Sequence, residues 1–181
     1  MFLIEISTGL VAHSAALVAD SLDMLADATV YGLSLFAIGR SNHHQRRAAV
    51  LSGWFQVTLA GLLLVDVIRR FFYGSFPEFR WMIGIGFLAL AANIYCFVLI
   101  AKHRQEAVHM RASWIFSRND VIANIAVIGS GFFVKAIQSP WPDLIIGFCI
   151  AALVLHGGID IITDVHREAR GASNGSDLDE S

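Results

Sequence analysis

Long apolar runs, separated by short polar stretches, recur along the whole chain. Ala48 to Val65 carries no charge, and neither does Trp81 to Ala101. Each has about the length a helix needs to cross a hydrocarbon core, roughly 20 residues at 1.5 Å each. Leu144 to Ile159 is a shorter run that extends through Thr163. Two further stretches have the right length but carry charges: Ser14 to Gly39 holds Asp20, Asp23 and Asp27, and Ala112 to Val134 holds Arg118 and Asp120. Phe2 to Ala12 is apolar apart from Glu5, Ser7 and Thr8. As a helix it reaches about half the hydrocarbon thickness. The pattern predicts an all-α membrane protein with six transmembrane helices, the first of them truncated. The short link at Ala12 and His13 makes the first two helices antiparallel neighbours.

Composition supports this reading. Of 181 residues, 56% are hydrophobic and 15% charged, and the mean hydropathy is +0.61. Soluble domains carry about 25% charged residues, and disordered chains are far less apolar. Thirteen basic against fifteen acidic residues leave no basic excess for nucleic acid. Cys96 and Cys149 sit inside apolar runs, which predicts small buried core residues rather than a disulfide or zinc ribbon. Met1 is not followed by a basic n-region and an Ala-x-Ala site, so no cleavable leader is expected. The stretch 168–181, EARGASNGSDLDES, is polar and acidic. It predicts a disordered acidic tail after a transmembrane domain covering 1–167.

Basic residues set the expected orientation. Arg40, Arg46, Arg47, Lys102, Arg104, Arg111, Arg167 and Arg170 fall on one side, against Arg69, Arg70, Arg80 and Lys135 on the other. Eight against four places both termini in the cytoplasm. A compact chain without targeting signals fits a bacterial inner membrane.

Charges at membrane depth are costly, roughly 2.5–3.5 kcal/mol each on insertion scales, so each needs a reason. Asp23 and Asp27 are one helical turn apart, and Asp20 lies within about 60° of both on the helix circumference. Three like charges on one stripe require protons or a cation to neutralise them. On the fifth helix Ser113, Asp120 and Asn124 share an arc of about 40°, whereas Asn119 lies about 100° from Asp120. Arg118 points away from Asp120 and can snorkel or pair with an acid. One reading has Asp23, Asp27 and Asp120 ligating a divalent cation between helices 2 and 5, with Asn124 beside them and Asn119 and Asp20 standing second. The other has each carboxylate hydrogen-bonded across a helix interface for structure alone.

Other polar groups carry less. His156, Asp160 and Asp164 are spaced as an accessory cation site or as solvated interfacial residues. His43 with His44, and His103 with His109, lie in predicted polar loops. Asp66 is expected to end the third helix and to pair with Arg69 or Arg70. Gly129, Gly131 and Gly147 read as close-packing positions. Trp54, Trp81, Trp114 and Trp141 read as interfacial anchors.

The stretch HSAALVADSLDMLADATVYGLSLFAIG, His13 to Gly39, resembles the second span of the cation diffusion facilitator family. MRASWIFSRNDVIANIAVIGSG, Met110 to Gly131, resembles its fifth, and WPDLIIGFCIAALVLHGGIDII, Trp141 to Ile162, its sixth. Asp23, Asp27 and Asp120 fall on the family's ligand positions, and Asn124 on a commonly polar one. The resemblance implies a six-helix bundle with cytoplasmic termini that exports Zn²⁺ or a related divalent cation in exchange for protons, often as a homodimer.

Three departures stand out. Phe116 occupies a position where the family usually has His or Asp, leaving an all-oxygen site that also suits Mn²⁺, Fe²⁺, Co²⁺ or Cd²⁺. The family's cytoplasmic metal-binding domain is not in the sequence, and the first span is short. The implied mechanism needs no cofactor and no enzymatic step, because protons and cation compete for the same oxygens. The partners are then the metal ion, protons, lipid and a second copy. The rivals are a non-transporting or partner-dependent subunit of the same family, an intramembrane metalloenzyme and a cation channel. Against the enzyme, the chain has no HExxH motif and no general base beside the three aspartates.

Overall fold

The computed structural model describes residues 1–37, 39–103 and 108–176; the side chains of 42, 100–103, 108–117 and 168–176 lie outside that description. Six α-helices follow in order: α1 Phe2–Val11, α2 Ala15–Ala37, α3 Asn42–Tyr73, α4 Phe79–His103, α5 Val108–Ile137 and α6 Trp141–Ser176. There is no strand among the described residues. In lipid, a backbone that cannot bond to water must satisfy itself within helices, which explains the single element type.

Four helices are long and apolar enough to cross a membrane, over His43–Tyr73, Phe79–Leu99, Arg118–Ile137 and Trp141–Arg167. The chain is thus a multi-pass membrane protein. The sequence expects six spans, and the difference lies in α1 and α2. α2 has the length, about 34 Å at 1.5 Å per residue, but its three aspartates set it apart from the four apolar spans. α1 is an apolar helix of 10 residues, about 15 Å long.

Several boundaries shift. α3 continues to Tyr73, so Asp66 lies inside the helix rather than ending it. Its carboxylate is held by Arg69 and Arg70 one turn on, which stabilises the polar last turns. His43 and His44, expected in a loop, lie in the first turn of α3. α6 runs to Ser176, so helix covers 168–176 of the stretch read as tail; residues 177–181 lie outside the described residues. His103, His109 and Trp114 carry side chains outside it too.

α2 is the hub of the bundle, packing against α1, α3, α5 and α6, while α3 pairs with α6 and α4 with α5. Small residues permit these approaches, as expected where lipid removes the drive to bury apolar surface. A Cβ on Gly147 would stand 3.0 Å from the Ala15 carbonyl carbon, and one on Gly131 3.1 Å from the Met82 Cβ. Gly129 differs from its expected role: nothing approaches it within 4 Å. The buried cluster centres on Leu17, Leu63, Met82, Val127 and Val154. Cys96 and Cys149 are exposed, not buried. Both lie on apolar outer surfaces, alongside residues such as Tyr95 and Phe148, where lipid replaces the packed core that their apolar setting predicts.

The α1–α2 turn is tied to its neighbours. His13 takes a left-handed backbone conformation, φ 52°, to reverse the chain. The Glu78 backbone N–H donates to the Ala12 carbonyl at 2.9 Å, and the Ser75 hydroxyl to that of His13 at 2.9 Å.

Candidate metal-ion pathway

Helix α2 begins on an acid from another helix. The Asp143 carboxylate, in the first turn of α6, accepts from the Ser14 hydroxyl at 2.6 Å and from the Ala15 and Ala16 N–H groups at 2.7 and 3.1 Å. These are among the N–H groups a helix start leaves unpaired, and a negative charge there also complements the helix dipole. Asp143 is 0% exposed. The arrangement fixes the height and rotation of α2, and so the position of its aspartates.

From that start, the i, i+3, i+7 spacing carries Asp20, Asp23 and Asp27 down one face of α2 toward α5. Asp20 and Asp27 are buried and Asp23 half-buried. On α5, Asp120 is half-buried with Oδ1 enclosed and without a hydrogen-bond partner, and Asn124 is wholly buried. Asp120 acts electrostatically on both Asp23 and Asp27, and Asp23 acts on Asp27. The two helices therefore bring these carboxylates into one neighbourhood. They do not form a closed ligand cage: among the described residues, no three His, Cys, Asp or Glu side chains converge closely enough to hold an ion.

Asn124 and Asp20 serve each other. Asn124 Nδ2 donates to Asp20 Oδ2 at 2.9 Å, and Asn93 Nδ2 on α4 reaches Asn124 Oδ1 at 3.5 Å. This chain of amides links α4, α5 and α2. Asn119 is exposed and turned away from it, as its angle from Asp120 predicts. Phe116 lies in α5, with its side chain outside the described residues.

A cavity of about 370 Å³ lies between α2, α3 and α6, lined among others by Val30, Ser34, Gln45, Ser52 and Ile161. Val30 and Ser34 continue the face that carries Asp27, about one and two turns on. The cavity thus begins about one turn beyond Asp27, on the side toward Arg40, and its lining is mostly apolar with Ser34, Gln45 and Ser52 as its polar members. His156 pairs with Asp160 at 3.3 Å on an exposed surface and Asp164 with Arg167 at 3.9 Å, so these acids form surface pairs.

The sequence matches the cation efflux transmembrane domain over residues 1–168. The chain belongs to the cation efflux family. It is 23% identical over 176 residues to the cadmium, cobalt and zinc/H(+)-K(+) antiporter of Bacillus velezensis, covering 90% of this chain and 56% of that protein. The antiporter of the same description from Bacillus subtilis is 20% identical, with 90% and 57% covered. The vacuolar zinc transporter of Saccharomyces cerevisiae is 25% identical over 122 residues, 60% of this chain and 28% of that protein. The chain thus spans a little over half the length of its Bacillus relatives. The family match covers both the four apolar spans and the aspartate-bearing helix α2, which packs against three of them, α3, α5 and α6.

Three residues matter more in this family member than their sequence pattern reveals. Asp143 looks like an ordinary acidic first-turn residue after Pro140 and Pro142. Asn93 is one polar residue in an otherwise uncharged run. Glu5 is the lone charge of the first apolar stretch, and the structure buries it completely.

Proposed function

We propose that this chain moves Zn²⁺ or a related divalent cation outward across a membrane in exchange for protons, using Asp23, Asp27 and Asp120 between α2 and α5. The supporting observation is the meeting of the two helices. Carboxylates from both act on one another inside the bundle, and the enclosed Asp120 Oδ1 has no protein partner. An enclosed oxygen without a partner calls for an ion or a water. The names of the Bacillus relatives, antiporters of cadmium, cobalt and zinc, support the same class of substrate.

The chemistry is a competition. Facing inward, the cation displaces protons shared among the three carboxylates, reaching them through the cavity beyond Asp27. A shift of α2 against α5 closes the open cluster around the ion and exposes it on the other side. Higher proton activity there reprotonates the same oxygens and releases the ion. Asp20, held by Asn124, and Asn119, turned outward, stand outside this set, while Asn124 orders the wall beside it. The charge bias of the loops supports a cytoplasmic position for both termini; a bacterial inner membrane is the proposed location, and a homodimer is the expected assembly.

The test is metal flux in proteoliposomes holding an internal metal dye and a pH dye. Zn²⁺, Cd²⁺, Mn²⁺, Fe²⁺ and Co²⁺ are supplied in turn to the native chain and to Asp27→Ala. Metal movement with opposite proton movement, lost in the variant, is the expected result. No movement of any metal by a correctly folded native chain would leave the partner-dependent subunit in its place.

A further inference from the structure

Glu5 has no role in the transport site just described, yet among the described residues it is the one acid with both carboxylate oxygens buried and without a hydrogen-bond partner. Its side chain is 0% exposed, and neither carboxylate oxygen has a hydrogen-bond partner. A buried carboxylate without partners is costly. A proton alone does not cure this, because the carboxylic acid formed would still have a donor and an acceptor unmatched.

The position of Glu5 is fixed by its helix. Gly9, one turn on and also buried, lies so close to α2 that a Cβ there would stand 2.9 Å from the Val18 backbone nitrogen. The helices are antiparallel, so one turn back along α1 is about one turn forward along α2. Glu5 therefore lies at the level between Asp20 and Asp23. Of the charged groups acting on Asp20, Glu5 acts most strongly, ahead of Asp23 and Asp120. Asp20 is 1% exposed and held from the far side by Asn124 Nδ2. Met1, whose carbonyl accepts the Glu5 backbone N–H at 3.1 Å, contributes its ammonium charge to the surroundings but gives the carboxylate no hydrogen bond.

We propose that Glu5 and Asp20 form a second divalent-cation station between α1 and α2, one turn nearer the α1–α2 loop than Asp23. Two carboxylates match a divalent ion in charge, and their oxygens suit Zn²⁺, Mn²⁺ or Cd²⁺ with water completing the shell. Asn124 restrains Asp20 so that its other oxygen remains available. The station rests on the transport reading, in which it receives the ion from the three aspartates on the way to the outer face.

Four proteins separate the two ideas: the native chain, Glu5→Gln, the triple variant Asp23→Asn/Asp27→Asn/Asp120→Asn, and all four changes together. Equilibrium dialysis of each, in detergent, with Zn²⁺ as probe counts bound metal, with circular dichroism and gel filtration as checks of folding. The triple variant is expected to retain about one Zn²⁺ per chain, which the added Glu5→Gln removes. A triple variant that binds none, or a quadruple variant that binds as the triple does, overturns the second station. Failure of the main site shows differently: Glu5→Gln alone and the quadruple variant then bind alike. Should the triple variant not fold, the native chain decides through labelling by a hydrophobic carbodiimide read by peptide mass spectrometry. Zn²⁺ is expected to protect Glu5, and labelling of Glu5 that is indifferent to Zn²⁺ overturns the proposal.

Discussion

Asn124 on α5 gives its side-chain N–H to the carboxylate of Asp20 on α2 across 2.9 Å, with both residues almost wholly buried. The bond crosses the helix pair that carries the candidate ion ligands. Asn124→Leu removes the donor and leaves a buried acid unmatched, which is expected to cost about 1–3 kcal/mol. Chemical unfolding in detergent measures this. A double-mutant cycle with Asp20→Asn should show strong coupling, whereas additive effects would mean the bond contributes little.

Asp143 accepts three hydrogen bonds from the start of α2. Asp143→Ala removes them together, and a loss of about 2–4 kcal/mol is expected in thermal unfolding. Ser14→Ala removes one of them together with the bond its Oγ accepts from the Leu17 N–H at 3.1 Å, and should cost about 1–2 kcal/mol. Equal effects from the two would show that the backbone N–H groups find other partners.

The glycines divide by their surroundings. Gly147→Val places side-chain atoms against Ala15, and overpacking of this kind costs about 1–3 kcal/mol. Gly129→Ala meets nothing within 4 Å, and should be neutral or stabilise α5 by up to about 1 kcal/mol through helix propensity. A destabilised Gly129→Ala would place an unseen neighbour, such as a second copy, against that face.

Asp66 bonds two arginines that differ in setting. Arg69 is exposed and Arg70 buried. Arg69→Ala should change stability by less than about 1 kcal/mol, and little more at low salt. Arg70→Ala strips the enclosed side of the pair and is expected to cost about 1–3 kcal/mol. Unfolding curves at two salt concentrations distinguish the cases.

The helices themselves were legible, because uncharged runs such as 48–65 and 81–101 have few alternatives in a chain this apolar. The aspartates of α2 were legible too, since the i, i+4 spacing of Asp23 and Asp27 fixes a shared face whatever surrounds the helix. Partners were not. The angle of Asn124 from Asp120 puts it beside the ligand candidates, but does not show that its amide N–H bonds Asp20. Asp143 binds residues more than a hundred positions earlier, a relation that no local spacing encodes. Cys96 and Cys149 show the limit of hydropathy: an apolar run identifies a span, but not which of its faces meets protein and which meets lipid.

The bonds at the α1–α2 turn have a mechanical consequence. Glu78 and Ser75, from the α3–α4 link, hold the carbonyls of Ala12 and His13, while Asp143 holds the residues just after them. Parts of five helices are thereby knotted together at one end of the bundle. Such a knot works like the rivet of a pair of tongs: in the swing of α2 that the proposed transport requires, the travel is smallest here and widest at the far tips of the helices.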